Sequence, residues 1–140
     1  MAFDPAGFLE IGRRLLEEAP GAEAAARTVC GRAYYAVYGT MRMRLCRAKD
    51  VSARHLFGRA GRHTDIIAAL GRAPRELKSV GVQFRRLHST RVRSDYRYSG
   101  EVTRQDAERA LDDADWVARQ LTSIPDGDFR ALLLVPRRMR

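Results

Sequence analysis

Residues 22–48, AEAAARTVCGRAYYAVYGTMRMRLCRA, decide the fold class. Ala26, Cys30, Ala33, Val37, Met41 and Leu45 recur there at steps of three or four, the spacing that lines up side chains on one face of an α-helix. Tyr34, Tyr35 and Tyr38 widen the apolar surface beyond a single stripe. The spacing therefore predicts a long, central helix covered by several neighbours, with the tyrosines in the core rather than in a cofactor box.

Working outward, every other periodic segment also reads as helix. Before it, Asp4 is placed to cap, Pro5 suits a first helical position, and Phe3 can staple onto Phe8. Phe8, Ile11, Leu15 and Ala19 form the expected inward stripe, and Pro20-Gly21 stops the helix. After it, residues 49–62 lose periodicity in a glycine-bearing, arginine-rich loop, and a short helix is expected over about His63–Leu70. A further helix is expected over about Pro74–Ser94, with Leu77, Val80, Phe84 and Leu87 on one face. Ser99-Gly100 marks a turn. Thr103 with Asp106 three residues on has the form of a capping box, and Ala107, Leu111, Ala114, Val117 and Leu121 give the last helix its inward face. Without strands or repeats, the class is an all-α bundle of four to five antiparallel helices over residues 1–122. A tail over 123–140 is apolar at Leu132–Val135 and then basic.

The size suits one domain with its own core. Cys30 and Cys46 fall on one helix, about 24 Å apart at about 1.5 Å per residue, too far to pair with each other. With no secretory leader and no apolar run near the roughly 20 residues of a membrane span, the expected setting is a reduced cytoplasm away from membranes.

The net charge of +9 is unevenly spread. Residues 42–97 hold fifteen Lys and Arg against four acids, a net +11, whereas 101–115 hold six acids against two arginines, a net −4. A basic block of this kind implies a polyanionic partner, nucleic acid before an acidic protein. Arg85, Arg93 and Arg97 in the block, with Arg32 on the long helix, are candidate phosphate contacts. Arginine supplies 24 of the 26 cations, a bias that coding composition alone can also produce.

Arg91 stands apart, because it is the next residue on the stripe Leu77–Val80–Phe84–Leu87. An arginine on an apolar face points into a cleft or interface, where its planar fork suits phosphate or carboxylate. A salt bridge to Asp95, one turn on, is the plain structural alternative. Other chemistries lack their residues. Three histidines at 55, 63 and 88 and two cysteines on one helix give no metal-ligand spacing, so no metal or cofactor is expected. Gly58-Arg59-Ala60-Gly61 lacks the Lys-Ser/Thr and preceding strand of a phosphate loop, and no serine sits in a nucleophile elbow.

Gly31-Arg32-Ala33-Tyr34-Tyr35-Ala36-Val37-Tyr38, His63, Arg91 to Tyr96, and Val102-Thr103 leading into the last helix together resemble a small prokaryotic HEPN-domain protein over about residues 8–122. The resemblance implies an antiparallel bundle that forms a homodimer, often encoded beside a nucleotidyltransferase as a toxin and antitoxin pair. It also implies metal-independent ribonuclease activity in many members. Their signature arginine matches Arg91, but the signature histidine five residues on is Tyr96 here. A phenol, with a reference pKa of about 10, is a poor general base at neutral pH, although it can act as an acid or hold a phosphate. His88, three residues before Arg91 on the same face, is a candidate replacement base. Tyr98 occupies a position at which related chains carry a tyrosine that a partner nucleotidyltransferase can modify. Three readings follow: a ribonuclease toxin of a toxin–antitoxin or defence system, a non-catalytic RNA- or nucleotide-binding module, and a partner or substrate subunit of a nucleotidyltransferase.

Overall fold

The computed structural model describes residues 3–49 and 75–127, and among them it contains four helices and no strand. These are α1 (Gly7–Glu18), α2 (Glu23–Lys49), α3 (Arg75–Tyr96) and α4 (Arg104–Ser123). The expected short helix over 63–70 with His63, most of the arginine-rich loop, and the tail cluster 132–135 lie outside the described residues. No helix among the described residues is long and apolar enough to cross a membrane.

As its periodicity predicts, α2 packs against all three other helices. Its Val29, Cys30, Ala33, Tyr34, Val37 and Met41 are fully enclosed. Side-chain contacts set the directions of the others. Arg27 reaches the end of α3 whereas Tyr34 meets Phe84 farther back, so α3 runs antiparallel to α2. Arg44 reaches the end of α4 and Glu23 reaches Val102, two residues before its start, so α4 runs parallel to α2. Arg13 meets Asp112 and Gly39 meets Pro5, so α1 opposes both. The result is an up-down-up-down bundle whose core adds Leu77, Val80, Phe84 and Leu87 from α3 and Leu111, Ala114, Val117 and Leu121 from α4. Burying each of the larger of these contributes about 1.5–3 kcal/mol.

The start of α4 is held as its sequence predicts. The Thr103 hydroxyl accepts from the Asp106 amide, and the Asp106 carboxylate accepts from the Thr103 amide. That second bond is the main reason the Asp106 carboxyl lies below its usual range.

The inward stripe of α1 differs from expectation. Leu9, Gly12 and Leu16 face the core, Phe8, Leu15 and Ala19 are half-buried, and Ile11 is 56% exposed. The reason is Gly12, which hydropathy does not mark as a core position. A Cβ there would lie 2.9 Å from Leu111 Cδ2, so the missing side chain is what brings α1 against α4. The helix also begins later than Asp4-Pro5 suggests. Asp4 Oδ1 accepts from the Ala6 amide and the Asp4 carbonyl from the Gly7 amide, making a turn that leads into α1. The Phe3–Phe8 staple does form, edge to face at 5.4 Å.

Candidate functional site

Arg91 sits where the stripe of α3 meets α2, with only 14% of its side chain exposed. Its Nε donates to Asp95 Oδ2 at 3.1 Å, one helical turn on. Its Nη2 donates to Tyr35 Oη at 2.7 Å and to Tyr96 Oη at 3.2 Å. The guanidinium also lies over both tyrosine rings, 5.2 Å from the Tyr35 centroid and 5.1 Å from that of Tyr96. Among the described residues none accepts from Nη1, so one edge of the fork is left for an incoming acceptor. The inward arginine and the Asp95 ion pair, posed as alternatives by the sequence, are both present: the carboxylate orients the guanidinium without enclosing it.

Gly31 makes room for that carboxylate. A Cβ on Gly31 would stand 3.2 Å from Asp95 Oδ1, so α2 presents bare backbone to the acid that aims Arg91.

His88 lies one turn before Arg91, with its ring 5.4 Å from that of the buried Tyr34. Burial, reinforced by the Arg91 charge, pulls its pKa below the usual histidine value, so the imidazole is neutral at pH 7. Burial likewise pushes the Tyr34 phenol well above its ordinary range. Arg91, Tyr96 and His88 thus gather at one place, with Tyr34 and Tyr35 of α2 behind them.

The other candidate residues disperse. Arg93 points the opposite way and pairs with Asp106 at 3.6 Å, as its neighbour Arg86 does with Asp113 at 3.9 Å. The acidic run 101–115 therefore cancels part of the basic block where α3 meets α4. Arg85 and Arg97 are exposed away from any described partner of their side chains. Tyr98 is in the α3–α4 turn, 77% exposed, with the Arg27 guanidinium 5.5 Å above its ring. Arg32 makes no helix-pairing salt bridge with a described residue; it lies exposed, 5.5 Å from the Phe8 ring centroid. The residue that meets Arg91 from α2 is Tyr35, one turn beyond Arg32.

The spacing places Tyr35 in the core, against which it does pack, half-buried, but its hydroxyl also meets Arg91, a contact not expected from the spacing. Its position off the stripe Ala26–Cys30–Ala33–Val37–Met41 was the available signal. It also lines a cleft of about 600 Å³ between the start of α1 and the middle of α2, together with Phe8, Tyr38, Arg32 and Arg42. Arg27 was missed as well. It donates to the carbonyls of Arg93, Ser94, Arg97 and Gly100 and bonds to Glu23, which in turn accepts from the Val102 amide at 2.8 Å. These bonds lock the turn that ends α3 against α2, next to Asp95 and Tyr96.

Among the described residues no group of His, Cys, Asp and Glu is placed to hold a metal ion. Comparison of the chain with protein-family models, curated proteins and solved structures returned no match.

Proposed function

We propose that this chain is a HEPN-like, RNA-directed protein acting as a homodimer in the cytoplasm, and that Arg91 marks a metal-independent ribonuclease site of a toxin–antitoxin or defence system. The observation that carries this reading is the Arg91 guanidinium. It is shielded from solvent and held by Asp95, Tyr35 and Tyr96 with Nη1 unclaimed by any described residue, and a histidine kept neutral at physiological pH lies one turn away. In a cleavage through the ribose 2′-hydroxyl, neutral His88 takes the hydroxyl proton as the oxygen attacks phosphorus. Arg91 holds the phosphate oxygens as charge builds on them. Tyr96 Oη, which accepts from Arg91, keeps its own O–H to donate to the leaving oxygen.

A second reading is favoured by the Asp95 ion pair, which offsets the Arg91 charge, and by tyrosine at the signature-histidine position. It is a binding module or nucleotidyltransferase partner that does not cleave. The two separate in one assay: incubation of total RNA and tRNA with purified protein in EDTA. Cleavage by wild type, abolished in Arg91→Ala and reduced at least about tenfold in Tyr96→Phe, is the expected result. Intact RNA with folded wild type supports the non-catalytic reading, and cleavage undiminished in Arg91→Ala removes Arg91 from the site.

A further inference from the structure

The cleft between α1 and α2 has a chemical character that RNA cleavage at Arg91 does not use. Its walls are aromatic, and Phe3 and Met43 at its mouth are 64% and 43% exposed. Among the described residues no Asp or Glu lines it. Two guanidiniums line it, each laid on an aromatic ring, Arg32 on Phe8 at 5.5 Å and Arg42 on Tyr38 at 5.4 Å from the centroid, and a third, that of Arg91, lies 5.2 Å from the centroid of the lining Tyr35. Arg32 pairs with no acid among the described residues, and a ring, unlike a carboxylate, orients a guanidinium without neutralising it. The space matches that of sites that hold small planar ligands. Tyr35 joins the cleft to the Arg91 cluster, since it lines the cavity and its hydroxyl accepts from Arg91 Nη2.

An apolar, aromatic slot under a cationic rim suits a ligand with a flat hydrophobic body and anions on its flank. From this geometry we infer that the cleft is a subsite for one unstacked base of a single-stranded RNA, with the strand's phosphates running past Arg32 and Arg42 toward Arg91. The inference rests on the RNA-directed reading above. An acidic amphipathic peptide is the competing occupant, but aromatic walls with two guanidiniums in the lining and a third against Tyr35 fit a base with its backbone phosphates better. A base in a duplex is stacked on both faces and does not reach such a slot, so the subsite makes the protein selective for loops and single strands.

The test is fluorescence anisotropy with a labelled 2′-O-methyl hexaribonucleotide, which cannot be cleaved through its 2′ position, alone and annealed to its complement. Wild type is expected to bind the single strand at least about tenfold more tightly than the duplex. Phe3→Ala and Arg32→Gln, both at exposed positions, should each weaken single-strand binding by about fivefold to tenfold in protein that thermal melting shows to be folded at the assay temperature. If these two variants bind like wild type while Arg91→Ala does not, the subsite is wrong and the RNA reading stands. If folded wild type binds neither strand form, the RNA reading falls and the subsite with it. Equal affinity for duplex and single strand, or binding of an acidic amphipathic peptide in preference to RNA, also overturns the subsite.

Discussion

At the scale of single residues the site is an exercise in holding an arginine without silencing it. Asp95 and two phenolic oxygens take the Nε and Nη2 hydrogens, and the guanidinium carbon lies 5.2 and 5.1 Å from the centroids of the Tyr35 and Tyr96 rings. The neighbouring His88 carries a consequence for stability. The folded chain holds the imidazole neutral, with a pKa below 6.5, whereas the unfolded chain takes a proton near 6.5. The stabilisation from the neutral form is therefore present above about pH 6.5 and is lost as pH falls through the lowered folded value. Urea unfolding between pH 7.5 and 5 should show this loss, and His88→Gln should flatten that part of the profile; an unaltered profile would mean that His88 titrates alike in both states.

Among the elements, the contacts that fix the helices are arginines on carbonyls and glycines at close approaches. Arg27 serves the end of α3 as Arg44 serves the end of α4, where Arg44 donates to the carbonyls of Leu121 and Ile124 and pairs with Asp126 at 3.2 Å. Helix C-termini carry unsatisfied carbonyls and the negative end of the helix dipole, so a guanidinium there satisfies both. Arg27→Ala should cost about 2 kcal/mol in chemical denaturation, with Arg27→Lys recovering part of it, since one ammonium cannot span carbonyls spread over eight residues. A loss under about 0.5 kcal/mol would mean that water replaces the guanidinium. The same substitution loosens the turn beside Asp95 and Tyr96.

For the whole molecule, the distribution of charge matters more than its sum. The acidic α4 meets α3 through Arg86 and Arg93, while the face of α2 toward α1 keeps Arg32 and Arg42 around the cleft. If the three guanidiniums Arg32, Arg42 and Arg91 each take a phosphate, the logarithm of single-strand RNA affinity should fall against the logarithm of salt concentration with a slope of about −2. A slope near zero would exclude phosphate contacts, and one much steeper would bring in the rest of the basic block.

Periodicity alone was enough for the elements with long, uninterrupted stripes. The bounds of α2, the capped start of α4 and the inward place of Arg91 all follow from spacing, because a helix turns at a constant angle and local hydrogen bonding closes its ends. The inward face of α1 did not follow, because its central residue, Gly12, acts by lacking a side chain, and only Leu111 from a distant part of the chain gives that absence meaning. The same holds for the site. The sequence by itself determined that Arg91 would be partly buried near Asp95, His88 and Tyr96, all within a turn or two of one helix. Only the tertiary structure decided that Tyr35 would complete the clamp, that Arg93 would turn away to Asp106, and that Arg27 would lock the adjoining turn. Those contacts join residues tens of positions apart, and the packing of α2 against its neighbours selects them.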